Sequence, residues 1–110
     1  MDSAVQQRIS DLINQHRIVL FMKGTRTFPQ CGFSATVVEV LKRLDAEFET
    51  VNVLEDAEIR QGIKEFSNWP TIPQLYIQGE FVGGCDIVRD MYTRGDLANL
   101  ISKSQTPSEA

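Results

Sequence analysis

The sequence has 110 residues, 42% of them hydrophobic, which suffices for one domain with a real core and not for two. Its formal net charge of −4 argues against nucleic acid or an anionic membrane as a general partner, and no apolar run approaches the roughly 18 residues of a spanning helix. Two cysteines 54 positions apart and one histidine, His16, exclude a disulfide framework and a four-ligand structural zinc site drawn from the Cys and His of one chain.

The start, "MDSAVQQRISDL", has neither a basic leader nor an apolar signal core and reads as mature protein. A cytoplasmic protein is expected, with a processed organellar form as the alternative. Val5, Ile9, Leu12 and Ile13 recur at helical spacing, and "IVLFM" (18–22) has the length and continuous apolarity of a strand buried on both faces. Phe33, Val37, Val40, Leu41 and Leu44 predict one stripe of a second helix, and "FETVNV" (48–53) alternates as a strand does. Strand, helix and strand then form a unit whose two strands run parallel. Ile59, Ile63 and Phe66 mark a third helix weakened by Gly62. "QLYI" and "FVGG", flanking Gln78-Gly79-Glu80, read as a hairpin, and a last helical segment runs from about Asp86 to Ile101 with a break expected at Gly95. The fold class is therefore α/β, a small four-stranded mixed sheet flanked by helices. Residues 1–103 form the predicted domain, and polar, aperiodic residues 104–110 are expected to be a flexible C-terminal tail.

Loops that follow parallel strands open at the carboxyl edge of such a sheet, where ligands usually bind, and Cys31 lies in the first of them. A thiol at a helix N-terminus faces free backbone N–H groups and the positive end of the dipole, so its pKa falls and it becomes both nucleophile and metal ligand. No Asp or Glu occurs between Leu12 and Val38, whereas Arg17, Lys23 and Arg26 do, so the site is expected to be locally basic. The competing reading of Cys31, a small buried apolar residue, is weakened by Pro29 before it and Gly32 after it, which describe a shaped loop. Ser34 reads as a helix-start residue bonded to backbone, and it leaves no adjacent thiol to resolve a mixed disulfide. "NWPTIPQL" (68–75) sets Pro70 and Pro73 before a strand, either as ordinary trans turns or with a cis bond that frees neighbouring backbone for an extended ligand. Asp86, after Gly83-Gly84-Cys85, reads as an N-cap, as the partner of an ammonium at a helix end that also suits a carboxylate, or as both together.

"MKGTRTFPQCGFS", "NWPTIPQLYIQGEFVGGCDIV" and the helix between them resemble the monothiol, CGFS-type glutaredoxins over roughly residues 3–103. The resemblance implies a thioredoxin-like fold with a cis-proline at Ile72-Pro73. It also implies glutathione binding and a [2Fe-2S] cluster bridging a homodimer through Cys31 of each subunit and one glutathione thiol per subunit. By the same resemblance Lys23 approaches the Cys31 sulfur and the glycyl carboxylate, and Arg60 binds that carboxylate. The backbone of Ile72 next to Pro73 pairs with the cysteinyl unit, Thr71 lines the same loop, and Cys85 and Asp86 grip the γ-glutamyl end. The implied function is iron–sulfur cluster carriage and transfer in iron or redox homeostasis, with acceptor proteins and a BolA-like protein as partners. The alternative is a glutathione-dependent thiol-disulfide oxidoreductase of low activity, removing glutathione from proteins with Cys31 as nucleophile. A third reading is a redox-sensing interaction module. Trp69 is open between core and ligand contact, and His16 reads as a helix-end residue.

Overall fold

The computed structural model describes residues 2–105. Helix α1 (Ser3–Gln15) starts where the Asp2 carboxylate accepts the Ala4 N–H and ends at His16. Strand β1 (Ile18–Met22) is followed by α2 (Gly32–Arg43), β2 (Glu49–Asn52), a 3-10 turn (Val53–Glu55) and α3 (Ala57–Ser67), whose cap is the Asp56 carboxylate accepting the Ile59 N–H. Strands β3 (Gln74–Ile77) and β4 (Glu80–Gly83) form the predicted hairpin. Gln78 and Gly79 both hold the left-handed conformation of its two-residue turn. The last helical stretch divides at Gly95 (φ +81) into α4 (Cys85–Arg94) and α5 (Asp96–Gln105). Helix α5 passes the boundary expected at 103. Ser104, three residues after the core residue Ile101, is buried with it and its hydroxyl donates to the Ile101 carbonyl, so 104 and 105 are helical rather than tail. The rest of the expected tail, 106–110, lies outside the described residues.

The sheet order is β2-β1-β3-β4, with β1 parallel to β2 and antiparallel to β3. All five β1 residues are buried, and they alternate. Ile18, Leu20 and Met22 enter one core with Val37, Val40, Leu41, Val88, Leu97 and Ile101 from α2, α4 and α5. Val19 and Phe21 enter the other with Val5, Ile9, Ile13, Ile59, Ile63 and Tyr76 from α1, α3 and β3. Each such large side chain contributes about 1.5–3 kcal/mol, so the central strand is clamped from both faces.

Strand direction positions the site. The carboxyl ends of β1, β2 and β4 and the amino end of β3 all lie at one edge, as the pairs Met22–Asn52, Phe21–Gln74 and Leu75–Gly83 require. The loop bearing Cys31, the loop before β3 and the start of α4 therefore converge there.

Candidate functional site

At that edge lies a groove of about 480 Å³ lined by residues of all three segments and of α3. Of the residues singled out in the sequence, Lys23, Cys31, Thr71, Ile72, Pro73, Cys85 and Asp86 all line it. Arg60 does not. Lys64, one turn further along α3 and missed in the sequence, lines it instead. A helical face with i, i+4 cations was the only available signal, and a solvated face looks the same.

The loop after β1 is held from three sides. Gly24 pairs with Pro29 across it, Gln30 N–H donates to the Lys23 carbonyl at 2.9 Å, and Thr25 N–H donates to the Phe28 carbonyl at 3.2 Å. Asn52 of β2 accepts the Gly24 N–H at 2.9 Å, and Ser34 of α2 accepts the Lys23 N–H at 3.1 Å. Ser34 does bond to backbone, as expected, but to that of Lys23 and from a fully buried position. The stripe expected along α2 is corrected at its first member: Phe33 is 62% exposed. Phe33 lines the groove instead of the core, while Ser34 beside it in the same turn takes the buried position.

Cys31 occupies the N-cap position of α2 in an extended conformation. The Ser34 N–H holds its thiol below the ordinary range, opposed by partial burial and helped by the Phe33 N–H, the charge of Lys23 and the Ser34 hydroxyl. The backbone end of the helix dominates, and the expected local basicity is corrected. Six residues of extended chain span about 20 Å, so Arg17 emerges at the opposite edge beside His16, Glu47 and Glu49. Arg26 turns away, its guanidinium 4.1 Å from the centre of the Phe48 ring and donating to the Phe48 carbonyl. Only Lys23 of the three acts on the thiol.

The far wall is the segment 69–73, whose Ile72-Pro73 peptide is cis. Trp69 is half-buried, lines the groove and packs on Phe81 with ring centres 5.7 Å apart, so it is both wall and packing residue. At the end of the groove α4 begins at Cys85 with Gly84 as N-cap, its carbonyl accepting the Val88 N–H at 3.0 Å. The N-cap reading of Asp86 is thereby corrected. The chain turns helical one residue before it, which sets its carboxylate in the first turn beside the free N–H groups. Cys85 is buried, and burial first, then the charge of Asp86, pushes its thiol up. Both cysteines are free thiols.

Chemically the groove offers one thiol whose pKa is lowered, two ammonium groups on one side, and on the other a helix N-terminus with a carboxylate beside it. An extended zwitterion with carboxylates at both ends and an ammonium at one matches that distribution.

A profile of the glutaredoxin family matches residues 18–82. The "uncharacterized monothiol glutaredoxin ycf64-like" of Synechocystis is 54% identical over 101 residues, covering 92% of this chain and 94% of that protein. Monothiol glutaredoxin-S14, chloroplastic, of Arabidopsis thaliana is 54% identical over 100 residues, 91% of this chain. This chain spans 58% of that relative's length. The solution structure of reduced poplar apo GrxS14 matches with a TM-score of 0.81 at 54% identity, covering 91% of this chain and 92% of that one.

Proposed function

The chain belongs to the glutaredoxin family, in its monothiol branch, and on that premise we propose that it binds glutathione and carries a [2Fe-2S] cluster shared between two copies of itself. The observation that carries this reading is the groove-lining thiol of Cys31, its pKa lowered by the Ser34 N–H, with Ser34 where a second thiol would stand. Such a cluster usually takes four thiolates. Among the described residues no group of three or more His, Cys, Asp or Glu is placed to hold a metal, so the donor set fits a cluster only as cargo shared with ligands from outside the chain. Two Cys31 sulfurs and two glutathione thiols complete the four. Transfer to acceptor proteins, pairing with a BolA-like protein and a place in iron or redox homeostasis follow from that reading. For the compartment, the cytoplasmic reading and the processed organellar alternative both stand, since relatives at 54% identity include a protein of Synechocystis and a chloroplastic protein of Arabidopsis thaliana.

In this arrangement Lys23 and Lys64 take the glycyl carboxylate, with Arg60 one turn ahead as a supplementary cation. The backbone of Ile72 beside Pro73 pairs with the cysteinyl unit, and Thr71 lines the same loop. The first turn of α4, from Cys85, holds the γ-glutamyl carboxylate, and Asp86 its ammonium. A charge-assisted hydrogen bond contributes about 1.5–3 kcal/mol, so Lys23→Ala and Lys64→Ala are each expected to weaken glutathione roughly tenfold or more, at 1.4 kcal/mol per decade. Arg60→Ala is expected to cost less than Lys64→Ala. Calorimetry on the three variants checks the ranking, and unchanged affinity in both lysine variants rules out this carboxylate seat.

The decisive experiment is reconstitution with iron, sulfide and glutathione, followed by gel filtration with all three measured on the same fractions. A coloured dimer is expected, dependent on glutathione and lost on iron chelation. A stable cluster on monomers, or on dimers without glutathione, sinks the mechanism. The lowered pKa of Cys31 also supports the oxidoreductase reading. There its thiolate attacks the glutathione sulfur of a glutathionylated protein and expels the protein thiolate. A second glutathione thiolate then releases glutathione disulfide and restores Cys31. Turnover of a glutathionylated substrate at a rate unaffected by iron favours that reading.

A further inference from the structure

Gln74, the first residue of β3, is fully buried although it carries an amide, and β3 pairing does not account for that side chain. Its Nε2 donates to the Trp69 and Thr71 carbonyls, both at 3.1 Å, and its Oε1 accepts from the Tyr76 hydroxyl at 3.2 Å. The orientation is dictated chemically. Two main-chain carbonyls only accept, so the NH2 must face them, and the amide oxygen left over must face a donor. Tyr76 is that donor. Its ring is boxed by Phe21 and Phe81, with centres 5.5 Å away, and by Phe66 at 6.4 Å, so the aromatic body is held by packing and the hydroxyl alone does the polar work. Burial pushes the phenol up to about 12 against the opposing effect of Ser67, so it stays protonated and donating at neutral pH.

The two anchored carbonyls belong to the segment 69–73, every residue of which lines the groove. That wall has no secondary structure of its own, and its loop would otherwise sample several backbone shapes. Bolting it at Trp69 and Thr71 from underneath leaves the groove side free to meet a ligand. We propose that Gln74, oriented by the Tyr76 hydroxyl, is the positioning residue that keeps the 69–73 wall in its ligand-ready shape, so that this buried pair sets glutathione affinity without touching glutathione. The ligand part of this inference rests on the reading of the groove given above; the loop part stands without it. Pre-organisation of this kind raises affinity by removing the ordering cost from the binding step.

Two variants test it. Gln74→Met keeps length and removes both donors; Tyr76→Phe keeps the boxed ring and removes only the hydroxyl, so it remains informative should the first not fold. Three readouts apply to each: glutathione affinity by calorimetry, the Cys31 pKa by thiolate absorbance, and NMR exchange of the ligand-free backbone at 69–73. Losing one or two hydrogen bonds on the usual scale predicts affinity weakened about threefold in Tyr76→Phe and about tenfold or more in Gln74→Met. Exchange at 69–73 is expected to increase while the Cys31 pKa stays at its wild-type value, because Cys31 is held by α2. Affinity loss accompanied by a shifted Cys31 pKa means general distortion and overturns the positioning role, as does wild-type exchange at 69–73 in both variants. Wild-type protein that binds no glutathione overturns the reading of the groove, and the exchange measurement then still decides whether Gln74 positions the wall.

Discussion

Cys31→Ser is expected to abolish cluster binding and leave a colourless monomer, whereas Cys85→Ser is expected to retain the coloured dimer. Both cysteines lie at helix starts, Cys31 as the N-cap of α2 and Cys85 as the first residue of α4, so the helix dipole alone does not separate them. Burial and neighbours do. Cys31 is part-exposed and receives the Ser34 and Phe33 N–H groups and the field of Lys23, all favouring the thiolate. Cys85 is buried beside Asp86, and both effects favour the neutral thiol. Because the thiolate is what reacts and ligates metal, alkylation at neutral pH should proceed faster at Cys31, and the rate should fall as pH drops through its lowered pKa. Serine has nearly the size of cysteine but does not ionise in this range, so the loss reports the sulfur and not the packing. Iron and sulfide content of the two reconstituted variants checks this. A cluster retained by Cys31→Ser and lost by Cys85→Ser reverses the assignment.

Gly24→Ala is expected to be the most damaging single methyl addition in the site loop. Gly24 has φ +94, a region that costs a residue with Cβ about 1–2 kcal/mol. A Cβ there would also lie 2.5 Å from the Gln30 nitrogen and 2.6 Å from the Phe28 carbonyl oxygen. These are backbone atoms, which a rotamer change cannot move aside, and overpacking adds about 1–3 kcal/mol. The Gly24–Pro29 pairing and the Gln30-to-Lys23 bond must yield, and with them the setting of Cys31 one residue further on. A fall of several degrees in Tm together with slower Cys31 alkylation is the expected result. Gly32→Ala is the control, since nothing lies within 4 Å of its added methyl and its φ is not in the left-handed region. Equal Tm values for the two variants would refute the steric argument.

The fold was legible in the sequence because its determinants are local and periodic. The unbroken apolar run 18–22, the stripes Val5-Ile9-Ile13 and Ile59-Ile63, and the turn at Gln78-Gly79 each specify one element, and element order then allows few topologies. Cys31 was legible too, since a thiol beside proline and glycine at a helix start is a local pattern. What depended on distance through space was not. Arg17, Lys23 and Arg26 are neighbours in sequence, yet the length of β1 and the attraction of the Phe48 ring leave only Lys23 at the thiol. Phe33 carries the right period for the core, yet the groove lies beside the first turn of α2 and takes that side chain, while Ser34 next to it is the buried one. Lys64 and Gln74 carry no local sign of a role. The first matters because α3 passes beside the groove, and the second because β3 runs antiparallel to β1 and brings its amino end under the 69–73 wall. Periodicity determines which face of an element is apolar, but only the packed chain decides which polar groups meet, because those meetings depend on where elements distant in sequence end relative to one another.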